Sequence, residues 1–276
     1  VFIEQMWPIM RDQQKATLDR LQRAESSADT GEKKPKRAST RMVGLLVQIE
    51  MLSWGDAGIY LCMPSPSLGG AAIESVGTTE QKIRFLTRFA EGDKPVWGGM
   101  AITEPNAGSD PGGMMQTRAV KKGDHWVLNG TKMWISMAAE SDIIMVQAVT
   151  DPEKRQRGGI TMFLVNRDNP GVHIEAGGIK TWLGPRAAQY TVHFKDCIVP
   201  DTDVLGEVGK GFYLGQRWLT VHDRLLRGPY ALGKMQRALD MSIDWAKQRI
   251  TFGKPLSERQ AIQWKIVDMF VDLEAL

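Results

Sequence analysis

The chain has 276 residues, 42% of them hydrophobic and 24% charged, a composition that excludes a disordered, collagen-like or disulfide-stapled protein. Its 35 basic and 32 acidic side chains leave a formal charge of +3, too balanced to give an electrostatic footprint for nucleic acid. No apolar run approaches the ~18 residues that span a bilayer.

Residues 1–94 read as a helical domain. Phe2, Met6, Ile9 and Met10 recur at helical spacing, and Leu18 and Leu21 continue the stripe. Residues 26–40 turn to Ser, Gly, Lys and Pro, a solvated linker in which Lys33, Lys34, Lys36 and Arg37 read as a mobile loop before they read as an anion site. A second helix is expected over Met42–Trp54, carrying Leu45, Leu46, Ile49, Met51 and Leu52. Pro64 and Pro66 keep the Cys62 segment out of any helix interior. Thr78 is placed to cap a third helix that begins at Thr79.

From residue 95 the apolar period falls from 3.6 to 2, and residues 95–208 read as a β-barrel-like domain. Asn129-Gly130, flanked by Trp126-Val-Leu and Lys132-Met-Trp-Ile-Ser, is a strong hairpin signal. Further strands are expected at 142–149, 160–165, 172–175 and 190–194, separated by Asp-Pro, Gly-Gly and Asn-Pro-Gly turns. Helical spacing returns over 209–276, with breaks at Gly228-Pro229 and at residues 252–255. Ile262, Ile266, Met269, Phe270 and Leu273 form an apolar face that two helices cannot bury alone, which implies an incomplete helical bundle. The expected class is therefore a multidomain α+β protein: helical N-terminal domain, central barrel-like β domain, partial C-terminal bundle.

Most catalytic signatures are missing. There is no Gly-x-Gly-x-x-Gly after a strand and no Walker loop. His125, His173, His193 and His222 lack metal-ligand spacing, so no metal site is expected, and His173 and His193 read as solvent-face or cross-strand residues. Ser65, Ser67 and Ser109 lie outside any nucleophile elbow. Cys62 and Cys197 fit neither a zinc site nor a disulfide framework and read as reduced thiols of an intracellular protein. Val1 and Phe2 open the chain without a signal-peptide pattern, and a longer gene product is expected. Fifteen Met and nine Trp suit the walls of a pocket for a planar ligand. The informative stretch is Met100-Ala-Ile-Thr-Glu-Pro-Asn-Ala-Gly-Ser-Asp110. Its successive backbone N–H groups can face an anionic or electron-rich ring edge; it also reads as a plain interdomain turn.

As a string, that stretch closely resembles the acyl-CoA dehydrogenase signature. Lys132-Met-Trp-Ile-Ser136 resembles the family's second flavin-contact strand, and Val199–Gly206 with Gly209–Phe212 resembles its exit from the β domain. Gln236–Asp240 and Arg249–Leu256, with Gln260, are similar to its C-terminal helical region. The likeness runs in family order over residues 41–276. It implies FAD, oxidation of an acyl-CoA to the 2,3-enoyl-CoA, electron-transfer flavoprotein as acceptor and a C-terminal four-helix bundle that forms a homotetramer; the unpaired 262–273 face is itself expected to drive association to a dimer of dimers. A bacterial cytoplasm or mitochondrial matrix would be the location, with no membrane span and no nucleic acid. A flavin monooxygenase, an acyl-CoA oxidase or a non-catalytic binding scaffold on the same fold stand as alternatives.

Carried over by residue, Met100, Ile102 and Thr103 would border the pyrimidine side of the flavin, with the Thr103 hydroxyl bonding the ring. Ser109 would touch the FAD phosphates and CoA, Trp134 would flank the flavin, and the Ser136 hydroxyl would reach flavin N5. Arg249, Phe252 and Gln260 would meet the adenosine-diphosphate half of FAD from a neighbouring subunit, an apt task for a planar guanidinium. Trp134 as plain core, Arg249 as a surface ion pair and Ser136 as a solvent-face strand residue are the structural alternatives. The family's usual catalytic glutamate would lie beyond Leu276. Some members place the base just before an Arg on the helix leaving the β domain, where this chain has Asp223 followed by Arg224. Asp223 is one methylene shorter than glutamate and reads either as base or as ion-pair partner of Arg224 or Arg227, while Arg224 would help bind substrate. Gly184–Tyr190 lacks the Ser and Thr often seen after Arg186, and the N-terminal domain is abbreviated.

Overall fold

Residues 2–27, 41–181, 188–218 and 224–276 are described in the computed structural model. They fall into two compact units, Val1–Lys34 with Cys62–Leu219 and Pro35–Leu61 with Thr220–Leu276.

In the first unit, α1 (Phe2–Ser27) packs along α4 (Thr79–Glu91). The α1 face that is buried holds Trp7, Met10 and Leu18, whereas Ile9 is exposed, so the predicted stripe is rotated toward Trp7. Helix α3 (Ser67–Val76), which the sequence reading missed, starts just after the two prolines. Helix α4 starts as expected. Thr78 Oγ accepts from Gln81 N at 3.1 Å while Gln81 Oε1 accepts from Thr78 N at 3.1 Å, a complete capping box. The Gln81 amide also donates to the carbonyls of Thr202 and Val204, tying this helix end to the chain's exit from the sheet.

The sheet holds β1 (Trp97–Ala101), β2 (Arg118–Lys122), β3 (His125–Ser136), β4 (Ser141–Val149), β5 (Ile160–Asn166), β6 (Val172–Ile174), β7 (Gln189–Pro200) and β8 (Val204–Leu205). Their order is β6-β7-β3-β2-β4-β5-β8, with β1 parallel to β4, and no pairing joins β6 to β8 among the described residues. The expected barrel is thus an open sheet. Its main core packs Trp126, Leu128, Phe163, Val192, Phe194 and Cys197, and burial pushes the Cys197 thiol up to about 12. His173 and His193 are direct cross-strand partners, as expected.

The Asn129-Gly130 hairpin is not there. Both residues lie inside the single strand β3, and the turn is at Gly123 (φ 61°), between β2 and β3. Gly130 (φ 152°) serves closeness instead: a Cβ there would lie 2.5 Å from Thr117 Oγ1. Asn129 pairs with Asp196 on β7, donating to its carboxylate at 3.2 Å and accepting from its N–H at 2.9 Å.

The short α5 (Pro111–Met114) and α6 (Gly211–Trp218) complete the first unit. The second unit consists of α2 (Arg41–Leu61), α7 (Arg224–Gln248), a small hairpin of β9 (Ile250–Thr251) and β10 (Lys254–Pro255), and α8 (Gln260–Ala275). Helix α2 outruns its predicted end, but with extended backbone at Asp56, whose carboxylate accepts from Ile59 N at 3.0 Å and caps the next turn. Helix α7 continues through Gly228-Pro229, where a break was predicted. Gly233 lets α2 and α7 touch: a Cβ there would lie 2.2 Å from the Glu50 carbonyl. On α8, Leu273 is buried and Ile262, Ile266 and Met269 are half-buried within the unit. The apolar side chains left exposed are Trp264, Val267, Phe270 and Val271, mostly a different face from the predicted one. No helix among the described residues is long and apolar enough to cross a membrane.

Candidate functional site

In the first unit, the end of β1 and the end of β3 frame a cavity of about 170 Å³ lined by Leu68, Gly98, Met100, Ile102, Thr103, Trp134, Ile135 and Ser136. Five of the site residues named from sequence thus meet at one place, although two segments about thirty positions apart supply them. Leu68 and Gly98 were missed. Their signal was the pair of double glycines: a Cβ on Gly98 would lie 2.3 Å from the Pro66 carbonyl, and one on Gly69 2.4 Å from the Gly99 carbonyl. Only bare backbone lets the start of α3 approach β1 so closely.

Trp134 owes its position to a break in the ladder. The β3–β7 register shifts between Lys132 and Ile135, and Trp134 takes φ 62°, an uncommon value for a bulky residue. The bulge turns the indole to the cavity, half-exposed, while Ile135 stays in the core. The Ser136 hydroxyl donates to Gln189 Oε1 at 3.0 Å and keeps its lone pairs as acceptors. The Thr103 hydroxyl has no hydrogen-bond partner among the described residues.

Beneath this wall lies an ion pair that sequence reading passed over. Lys132 has no exposed surface and Glu104 almost none. Lys132 Nζ donates to Glu104 Oε1 and to the Ile102 carbonyl, each at 2.9 Å. Glu104 Oε1 also accepts from Thr117 N at 3.0 Å and Oε2 from Gln116 N at 2.6 Å. Burial alone would raise the Glu104 carboxyl, but the Lys132 charge and these hydrogen bonds outweigh it and hold it below its ordinary value. Burial pushes the Lys132 ammonium down to about 8 against the opposing pull of Glu104. Both residues stand inside the quoted motifs, but a separation of twenty-eight positions hides the pairing; the one available signal was a lysine inside a strand.

Ser109 stands apart from the cavity lining and is exposed, between the Glu104–Ala107 turn and Asp110, whose carboxylate caps α5 at Gly113 N. Arg155 (φ 45°) holds the C-terminal end of α5, donating to the carbonyls of Gly113 and Met115.

The second unit carries the other named residues. Arg249, Phe252 and Gln260 are all exposed, Phe252 almost completely at 98%. Phe252 (φ 50°) and Gly253 (φ 74°) make a two-residue turn with both φ values positive, the geometry that suits a tight hairpin. Arg259 steadies it, donating to the Thr251 carbonyl at 2.6 Å with its guanidinium 6.0 Å from the Phe252 ring centre. Arg224 is exposed at the start of α7, and Asp223 lies outside the described residues, as do residues 182–187. Among the described residues no group of three or more His, Cys, Asp or Glu could hold a metal ion.

An open sheet bearing an aromatic-walled cavity at the end of its first strand, with a separate helical unit, defines a class of fold that known proteins share. The acyl-CoA dehydrogenase middle-domain family matches residues 99–197, and the acyl-CoA dehydrogenase C-terminal-domain family matches 209–276. The mitochondrial short-chain specific acyl-CoA dehydrogenase of Rattus norvegicus is 38% identical over 231 residues, 83% of this chain and 54% of that protein. The caffeyl-CoA reductase-Etf complex subunit CarC of Acetobacterium woodii is 40% identical over 221 residues, 80% of this chain and 56% of its own length. Among solved structures, butyryl-CoA dehydrogenase from Megasphaera elsdenii superposes with a TM-score of 0.77 at 34% identity, covering 90% of this chain and 62% of that one. The chain belongs to the acyl-CoA dehydrogenase family. It spans about half the length of the curated relatives it matches.

Proposed function

We propose that the protein binds FAD and catalyses α,β-dehydrogenation of an acyl-CoA thioester. The observation that carries this reading is the convergence of Met100, Ile102, Thr103, Trp134 and Ser136 on one cavity. Its residues fit a flavin: a flat indole from Trp134 and apolar side chains from Met100 and Ile102, with hydroxyls at Thr103 and Ser136 for the polar ring edge. When bound, the flavin would supply the acceptor for the hydride leaving the acyl β-carbon. The indole wall would exclude water and hold the ring plane, and Thr103 would offer it a hydrogen bond. Arg249 would grip the pyrophosphate of a neighbouring subunit's FAD through its planar fork, with Phe252 and Gln260 beside it. Ser109 would contact FAD phosphates and CoA. Arg224 would help hold the substrate, with Asp223 as its ion-pair partner and the α-proton taken by a carboxylate from another part of the protein.

The family's assembly as a dimer of dimers suits the exposed Trp264, Val267, Phe270 and Val271 of α8. Electron-transfer flavoprotein is the proposed acceptor, in keeping with the Etf complex to which the CarC relative belongs. A bacterial cytoplasm or mitochondrial matrix is the proposed location, and the division at residues 94 and 208 the proposed domain plan.

FAD titration followed by flavin fluorescence tests the cofactor, and anaerobic bleaching by an acyl-CoA tests the reaction. A flavoprotein that stays oxidised with acyl-CoAs of every length, yet consumes O₂ with another substrate, would make the monooxygenase reading the correct one. Asp223→Asn should lower flavin reduction only modestly; loss beyond ~1,000-fold with both ligands still bound would make Asp223 the base.

A further inference from the structure

We propose that Lys132 is a positioning residue for the cofactor: by gripping the Ile102 carbonyl it turns the Ile102–Thr103 segment into a hydrogen-bond-donating edge for an electron-rich heterocycle. The proposal rests on the flavin reading above. The residues that line the cavity account for shape, but not for a fully buried ammonium one layer behind them. A buried charge pair is costly to a fold, and two apolar side chains would fill the same volume without it.

The geometry gives the ammonium a task. A peptide unit is planar and trans, so the Ile102 carbonyl and the Thr103 N–H point to opposite sides. Lys132 Nζ takes the Ile102 carbonyl at 2.9 Å, which turns the Thr103 N–H away from Lys132. The Thr103 carbonyl is taken by the Met133 N–H at 2.9 Å. Both carbonyls of the segment are therefore engaged toward β3. What remains on Thr103 is its N–H and its hydroxyl, two donors without acceptors among the described residues, on a residue that lines the cavity. Glu104 fixes the lysine in turn, and is itself fixed by the amides of Gln116 and Thr117. Because the ionised Glu104 balances its charge, Lys132 acts on the segment through its hydrogen bond to the Ile102 carbonyl rather than through a net positive charge.

The test is FAD titration of the full chain and of Lys132→Met between pH 6.5 and 9.5, with the apoprotein melting temperature of each recorded. The parent is expected to bind FAD, and Lys132→Met to bind about tenfold more weakly at pH 7, the loss expected for a charge-assisted contact. The parent's affinity should fall as pH rises past about 8, where Lys132 gives up its proton, and the variant's should not follow. A merely structural lysine would lower the melting temperature and leave that pH difference absent. Equal affinity of parent and variant at pH 7, or a parent profile that tracks the variant's across the range, overturns the proposal and leaves the flavin reading standing. A parent that binds no FAD overturns the flavin reading, and the proposal with it. Should Lys132→Met fail to fold, the parent's profile decides: a fall past pH 8 supports the proposal and a flat line overturns it.

Discussion

The cavity of the first unit and the hairpin of the second carry residues named by the same motif logic, yet they are built in opposite ways. Behind the cavity, Lys132 and Glu104 are buried and every contact of the pair is made within the unit. Around the hairpin, Arg249, Phe252 and Gln260 are exposed, and backbone and Arg259 alone shape the turn. The lesson concerns energetics. Residues of the first kind are held by contacts of the fold itself, so removing one member of the pair leaves the other charge buried without its partner. Residues of the second kind are exposed, so the fold depends little on their side chains, and a ligand role for them rests on the proposal above.

Glu104→Ala, which strands a buried lysine, puts the contrast between the two regions to its most severe test. Chemical denaturation should show a loss of about 3–5 kcal/mol. A loss under 1 kcal/mol would mean that the pair is not part of the first unit's stability. Next comes Gly130→Ala, which sets a Cβ 2.5 Å from Thr117 at a positive φ and should destabilise by about 1–3 kcal/mol in the same assay. A pH experiment sharpens the point. Lys132 is held near 8, below its ordinary 10.5, so between those values the unfolded chain binds a proton that the folded one has released. Stability of the parent relative to Lys132→Met should therefore rise with pH across that window, by up to about 1.4 kcal/mol per unit. The smallest expected effect is Arg249→Ala, within about 0.5 kcal/mol in unfolding. The same variant should nonetheless weaken FAD binding by about 2–5 kcal/mol if the guanidinium meets the pyrophosphate in a desolvated contact. A large unfolding effect at Arg249 would erase the contrast between the two regions.

Much of this was legible from residue order because local chemistry dictates it. Thr78 and Gln81 are three apart and cap a helix wherever that helix packs. The strands at residues 142–149 and 160–165 follow from apolar runs bounded by turns, and β4 and β5 realise them nearly residue for residue. The motifs at residues 100–110 and 132–136 hold five of the side chains that line the cavity. Tertiary structure decided the rest, wherever a residue's role is set by a neighbour distant in sequence. Gly130 reads as a turn until Thr117 arrives beside it, and then it is a close approach inside a strand. Pro229 reads as a break, yet α7 continues through it, because one missing backbone N–H is tolerated when the remaining turns are held by packing. Trp134 reads as a cavity wall with plain core as the alternative, and the β3–β7 bulge sets it at the cavity. Lys132 and Glu104 are separated by twenty-eight positions along the chain, and only the seating of the loop against β3 turns two ordinary charges into a single buried pair.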